Sequence, residues 1–233
     1  VGPSSFRIAR RLLGRLEDSV SGRILPAAFH APIPDERVAQ AGVASGILGE
    51  TMVKRFPWSG RTRPMVDGNA EVVLNRTWRP ALSITGADGL PPIANAGNVL
   101  RPATKLKLSL RIPPTLDGEQ ATAELKTLLE ADPPHGATVR FEPDQGATGW
   151  NAPATATWLA DAIDASSRTF YGQPSGALGE GGTIPFMGML GKQFPEAQFL
   201  ITGVLGPRSN AHGPNEFLHV PYAKRLTACV AQV

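Results

Sequence analysis

Apolar residues recur at three- and four-residue spacing from Phe6 through Ala9, Leu12 or Leu13 and Leu16 to Val20, and Pro3 with Ser4 or Ser5 stands ahead of them as a helix entry. This spacing predicts an amphipathic helix of about four turns. A polar, Pro-rich passage over 21–34 leads to a second helical pattern, with Asp35 as its N-cap and Val38, Ala41, Val43 and Ile47 as its apolar positions. The period then changes to two. Ala81, Ser83 and Thr85 alternate with Leu82 and Ile84, and Leu106, Leu108, Leu110 and Ile112 alternate with Lys105, Lys107, Ser109 and Arg111. Both segments are predicted as half-buried strands. Asp117 is placed to cap a helix reaching about Glu130, and after the turn Asp132-Pro133-Pro134-His135-Gly136 a short alternating strand is expected over 138–142. An opening helix followed by strand, strand, helix and strand describes an α+β sandwich lacking one strand at its front.

The passage 142–153, rich in Pro, Gly and Asp, marks a boundary. Beyond it the pattern predicts a helix over 154–171, a Gly-rich loop, a short helix near Met187, a strand over 199–204, a second Gly-rich loop and a terminal helix from about Pro221. That alternation is α/β in character, with too few strands for a covered parallel sheet, so it is expected to be half of a larger domain. The chain opens Val-Gly-Pro-Ser-Ser without an initiator Met, and the expectation is that something upstream has been removed.

Composition narrows the class. With 42% hydrophobic and 18% charged residues and a mean hydropathy of -0.10, the 233-residue chain belongs with folded domains rather than disordered or fibrous ones. The 25 Gly and 22 Pro predict many turns without reaching low complexity. No window approaches the roughly 18 unbroken apolar residues of a membrane helix, so no membrane partner is expected. A net charge of +3 with interspersed acids gives no nucleic-acid footprint. Arg7, Arg10, Arg11 and Arg15, followed by Glu17 and Asp18, are taken as a solvated helix face. The single cysteine, Cys229, excludes an intrachain disulfide framework and a Cys-based zinc cluster, and it is expected as a buried thiol. A reducing compartment, the cytoplasm, fits it.

Few residues carry chemistry. His212 follows an apolar strand and a turn in Ser209-Asn210-Ala211-His212-Gly213-Pro214-Asn215-Glu216, where a neutral imidazole is placed for metal or substrate, or serves as an ordinary loop histidine. Glu216 either orients His212 or caps the turn. Gly179-Glu180-Gly181-Gly182-Thr183-Ile184-Pro185 enters a short helix, and its backbone N–H groups suit a carboxylate or oxyanion, although a Gly-Gly turn serves many helices without function. Arg111 lies on the polar face of its strand, either as a fork for a substrate carboxylate or as a solvent-facing side chain. His30, His135 and His219 show no metal spacing and are taken as structural or exposed.

In order along the chain, Asn95-Ala96-Gly97-Asn98-Val99-Leu100, Leu110-Arg111-Ile112-Pro113, the Glu180-Gly181-Gly182-Thr183-Ile184-Pro185 loop and Ala211-His212-Gly213-Pro214-Asn215-Glu216 resemble one family. It is the zinc metallopeptidase family of carnosine dipeptidases, acetylornithine deacetylase, succinyl-diaminopimelate desuccinylase and carboxypeptidase G. Trp78-Arg79-Pro80-Ala81-Leu82-Ser83-Ile84-Thr85-Gly86 is similar to the carnosinase-type entry to its lid. The resemblance implies a ferredoxin-like α+β lid, lacking its first strand, over 1–144. The C-terminal part of an α/β zinc-peptidase catalytic domain then follows over 145–233, with the N-terminal catalytic half lying upstream. It implies His212 as a metal ligand and Asn98 as a catalytic residue that reaches a partner subunit's active site and polarises the scissile carbonyl. Arg111 becomes the arginine that binds the substrate carboxylate, Gly182 and Thr183 the loop beside it, and Glu180 that loop's acidic residue.

Two departures stand out: Asn98-Val99-Leu100-Arg101-Pro102 inserts a residue before the proline, and Gly179 stands where carnosinases tend to have Arg. The implied cofactors are two Zn2+, or Mn2+ or Co2+, in the complete enzyme, with none required on this chain alone. The implied partners are a peptide or N-acyl amino acid and a second copy joined through the lid. The competing reading is a non-catalytic dimerisation or binding module, which needs no metal. A single-metal enzyme using His212, Glu180 and Glu216 would lack a base for its attacking water.

Overall fold

The computed structural model describes residues 1–180 and 185–233, which divide into two compact units. The first comprises 1–151 with 178–188, and the second 152–177 with 189–233.

In the first unit, α1 (Ser5–Leu16) starts at Ser4, whose hydroxyl accepts the Arg7 N–H, and it stops at Leu16. Val20, expected on its apolar stripe, lies beyond the helix and is 91% exposed. The chain turns instead at Asp18, whose carboxylate accepts the N–H groups of Val20 and Ser21. Such an Asx-type turn competes directly with helix continuation. α2 (Asp35–Leu48) begins with Asp35 as its first helical residue rather than as the cap. It buries Ala41 and Ala44 while Val38, Val43 and Ile47 are exposed, a correction to the predicted stripe. Small side chains let α2 approach α4 (Asn69–Thr77) closely, and around that contact Ala41, Met52, Val73, Leu74 and Trp78 form one core cluster. Met52 comes from the short α3 (Thr51–Lys54).

The two predicted strands form as β1 (Ala81–Asp88) and β2 (Lys105–Arg111), paired antiparallel with Leu82 opposite Leu110 and a bulge between Ile84 and Gly86. Leu82, Leu108 and Leu110 pack on the second cluster, made of Leu12, Leu16, Ile24, Phe29, Leu125 and Leu129. Asp117 caps α5 (Gly118–Glu130) as expected, accepting the Gln120 N–H at 2.9 Å. The result is α1 and α5 laid on the leucine face of a hairpin. Arg15 is not part of a solvated face: its guanidinium donates to the carbonyls of Leu128, Ala131 and Asp132, capping the C-terminal end of α5.

The strand expected over 138–142 is absent. Val139 and Phe141 keep their inward alternation against the core, but the Phe141 N–H is taken by the Glu130 carboxylate at 2.7 Å rather than by a ladder. The boundary passage is strapped to the start of α5. Gly118 N–H donates to Thr148 Oγ1 at 3.0 Å, and a Cβ at Gly118 would stand 2.5 Å from the Ala147 backbone. Only glycine permits that approach.

In the second unit, α6 (Thr157–Tyr171) packs against α8 (Val220–Gln232). Tyr171 Oη donates to the Tyr222 carbonyl at 3.1 Å, and Cys229, buried as expected, sets its Sγ 3.5 Å from the Ser166 carbonyl. α7 (Pro185–Gln193) forms where a short helix was predicted. Residues 199–204 do not form a strand, and Leu200, Ile201 and Val204 are 40%, 59% and 48% exposed. A strand exists only through a neighbour's hydrogen bonds, so apolar β-branched sequence alone does not make one.

Candidate functional site

Four of the six sequence-selected residues can be placed. Gly182 and Thr183 lie outside the described residues.

Asn98 sits in the connection between β1 and β2, after a 3-10 turn at Ile93–Asn95. The tip is apolar and exposed, with Ile93 at 95%, Val99 at 65% and Leu100 at 59%. Its return to β2 is tied to the start of α1 by Ser5 N–H on the Arg101 carbonyl at 3.3 Å and by Ser5 Oγ against Thr104 Oγ1 at 2.8 Å. Arg111 ends β2 opposite Ala81, with its side chain exposed and the next residues, Ile112 and Pro113, turning into the core. Among the described residues its guanidinium has no hydrogen-bond or ion-pair partner. Glu180 is engaged: Arg76 of α4 donates to its carboxylate at 2.7 Å, and the preceding Gly179 lies where a Cβ would come within 3.0 Å of Thr77 Cγ2. The glycine-rich segment therefore starts docked on the end of α4. No hydrogen bond or ion pair joins Asn98, Arg111 and Glu180 to one another among the described residues.

His212 belongs to the second unit, at the crest of a loop closed on itself. Four of its residues, Arg208, Asn210, His212 and Asn215, have positive φ between 54° and 62° without being glycine. Each left-handed residue costs free energy that surrounding contacts must offset. Those contacts are explicit. Ser209, 3% exposed, donates through its hydroxyl to the Leu205 and Gly206 carbonyls, Phe217 N–H reaches the Ser209 carbonyl at 3.1 Å, and Asn210 Nδ2 reaches the Pro214 carbonyl at 2.7 Å. Glu216 resolves the choice posed by its spacing: its carboxylate accepts the His212 backbone N–H and so caps the turn. The exposed imidazole is left without a partner among the described residues. Among those residues no three His, Cys, Asp or Glu side chains converge on a cation position.

A cysteinylglycine-S-conjugate dipeptidase of Corynebacterium striatum is 30% identical to the chain over 159 residues, which is 63% of this chain and 33% of that protein. No family model matches. The solved di-peptidase Dug1p of Saccharomyces cerevisiae superposes with a TM-score of 0.72 at 21% identity over 100% of this chain and 49% of its own. The M20 family metallo-carboxypeptidase Sso-CP2 of Sulfolobus solfataricus gives 0.71 at 17% identity, over 98% of this chain and 51% of its own. Human carnosine dipeptidase 1 gives 0.67 at 20% identity, over 97% of this chain and 48% of its own. The chain is similar in sequence to a dipeptidase and in fold to solved chains of a di-peptidase, a metallo-carboxypeptidase and a carnosine dipeptidase.

The chain thus has the α/β fold of M20 peptidase domains, and it spans a third of the curated dipeptidase and about half of each solved M20 chain. Among the described residues no helix is long and apolar enough to cross a membrane. Within the second unit, an open cavity of about 620 Å³ lies under the foot of the His212 loop, lined by residues 203–207 with Tyr171, His219, Tyr222 and Arg225. Burial, and after it the neighbouring Tyr222, pushes the Tyr171 hydroxyl up. One feature of the site escaped the sequence reading. Arg76 is separated by 104 positions from the Glu180 it pairs with, a distance no spacing rule bridges. His219, taken as structural or exposed, is structural: its Nδ1 accepts the Tyr222 N–H.

Proposed function

We propose that the chain forms the substrate-recognition portion, and supplies one metal ligand, of a dipeptidase-type metallohydrolase that cleaves a peptide or N-acyl amino acid. The observation that carries this reading is the 30% identity to a dipeptidase, joined to fold likeness across nearly the whole chain. In this reading residues 1–144 are a ferredoxin-like lid and dimerisation domain and 145–233 the C-terminal part of the catalytic domain. The α1–α5 layer on the β1–β2 hairpin and the open edges of that two-stranded ladder support the lid assignment.

The fit of His212 to a metal is chemical. Its ring is exposed and unpartnered among the described residues while its backbone is pinned by Glu216, which suits an imidazole nitrogen to ligand duty. One imidazole is a ligand and not a site, so the remaining ligands and the general base come from elsewhere in the full-length protein, and these 233 residues alone are inactive. The two Zn2+ of the complete enzyme, or Mn2+ or Co2+ in their place, supply an activated water and a polarised carbonyl when bound. Arg111 forks the substrate's terminal carboxylate, for which its exposed guanidinium is suited. Asn98, carried on an exposed apolar tip, donates to the carbonyl oxygen as charge develops there, in the active site of a second copy. Gly182 and Thr183 bind beside Arg111. Arg76 balances the charge of Glu180, so the acid does not repel an anionic substrate end. The lone buried thiol suits a reducing compartment such as the cytoplasm.

Steady-state hydrolysis of dipeptides by the full-length protein tests this. Arg111→Ala is expected to raise KM about tenfold to a hundredfold for substrates with a free carboxylate, in keeping with loss of a charge-assisted bidentate contact. A change equal to that for carboxamide analogues would remove the carboxylate role. A full-length protein that binds no metal and hydrolyses nothing would instead be a pairing module.

A further inference from the structure

The His212 loop is anchored by a histidine whose ring is committed to helix α8. His219 is the N-cap of that helix, and its Nδ1 accepts the Tyr222 N–H at 3.1 Å. Pro221 has no N–H to satisfy, so this bond serves a donor of the first turn that no backbone carbonyl reaches. The same residue closes the loop, because its own N–H donates to the Leu205 carbonyl at 2.8 Å and its carbonyl accepts from Ala223 N–H at 3.0 Å. Gly206, at φ 88°, lies so close that a Cβ there would stand 2.8 Å from His219 Cβ and 3.0 Å from the Tyr222 ring. The foot of the loop and the start of α8 are therefore a single packed unit with His219 at its centre.

We propose that His219 is a positioning residue whose imidazole clasps the His212 loop to α8. Acceptance at Nδ1 requires a lone pair there, so the ring contributes as an N-cap while its backbone N–H and carbonyl close the foot of the loop and the first turn of the helix. The consequence for metal affinity rests on the reading of His212 as a ligand. The clasp itself does not.

Amide hydrogen exchange of residues 205–223, corrected for intrinsic rates, tests the clasp in wild type, His219→Asn and His219→Ala. Asparagine can also cap a helix. Expected are protection in wild type and in His219→Asn, and exchange about fivefold faster in His219→Ala. Wild-type protection in His219→Ala, or fast exchange in His219→Asn, would overturn the proposal. Zn2+ titration of the full-length protein then separates the two ideas. His212→Ala with unaltered Zn2+ affinity defeats the ligand reading alone, whereas reduced affinity in His219→Ala and restored affinity in His219→Asn supports the clasp acting through His212.

Discussion

The two compact units bury their apolar residues to different degrees. The first closes two core clusters with its own side chains, leaving Leu16, Ile24 and Phe29 at 0%, 1% and 1% exposure. The second buries Leu159 and Cys229 among its apolar residues while Trp158, Leu200, Ile201, Val220 and Val230 stay 40–63% exposed. A unit with more apolar sequence than it can cover by itself has a surface suited to a further partner. The same contrast governs secondary structure. β1 and β2 find each other within the first unit, whereas 199–204, with comparable strand propensity, forms no strand in the second. Under the proposed function that uncovered surface belongs against the rest of the catalytic domain.

This difference can be sharpened by perturbing each unit separately. Phe29→Ala empties the centre of the first core, and urea unfolding is expected to show a loss of about 3–5 kcal/mol in the transition of that unit, with Tyr171 and Tyr222 fluorescence in the second unchanged. A common shift in both transitions would break the comparison. Gly206→Ala in the second unit forces an L side chain into positive φ against His219, at a cost of about 1–3 kcal/mol that would appear as faster amide exchange in 205–223 with the first unit untouched.

The smallest effect is one of pH and touches both units alike. The Lys126 ammonium and then the Phe141 N–H hold Glu130 below the usual carboxylate range, and the Arg168 guanidinium and then the Ser175 N–H do the same for Asp164. A carboxyl depressed by folding stabilises the fold above its unfolded pKa, and the contribution is lost as pH falls through the lowered value. The Phe141 and Ser175 amide resonances are therefore expected to hold steady near neutrality and to move only in acid, below the ordinary carboxylate range. Movement nearer pH 6 would remove these two anchors from the account.

Much of the first unit was legible in the sequence because its signals are local. Ser4, Asp117 and the alternation around Leu108 each act within a few residues of themselves. The early end of α1 is set locally by the Asp18 turn, and the other errors share one cause, which is that the deciding partner lies far along the chain. The face of α2 is set by how closely α4 approaches Ala41 and Ala44, not by which of its side chains are largest. Arg15 was assigned to solvent because the carbonyls it caps follow more than a hundred positions later. Residues 138–142 and 199–204 carry strand-like alternation, but a ladder needs a second strand. At the candidate site, the motif order pointed to His212, Asn98, Arg111 and the glycine-rich loop. The Glu216 turn cap was one of the two roles its spacing offered, whereas the pairing of Arg76 with Glu180, 104 positions apart, had no local signal.

The central claim is that His212 holds metal in a dipeptidase-type hydrolase. Native mass spectrometry of the full-length protein, wild type beside His212→Ala, tests it most directly. The account predicts two bound zinc ions in the wild type and a loss of zinc in the variant at unchanged fold. Equal zinc content in the two proteins would contradict it.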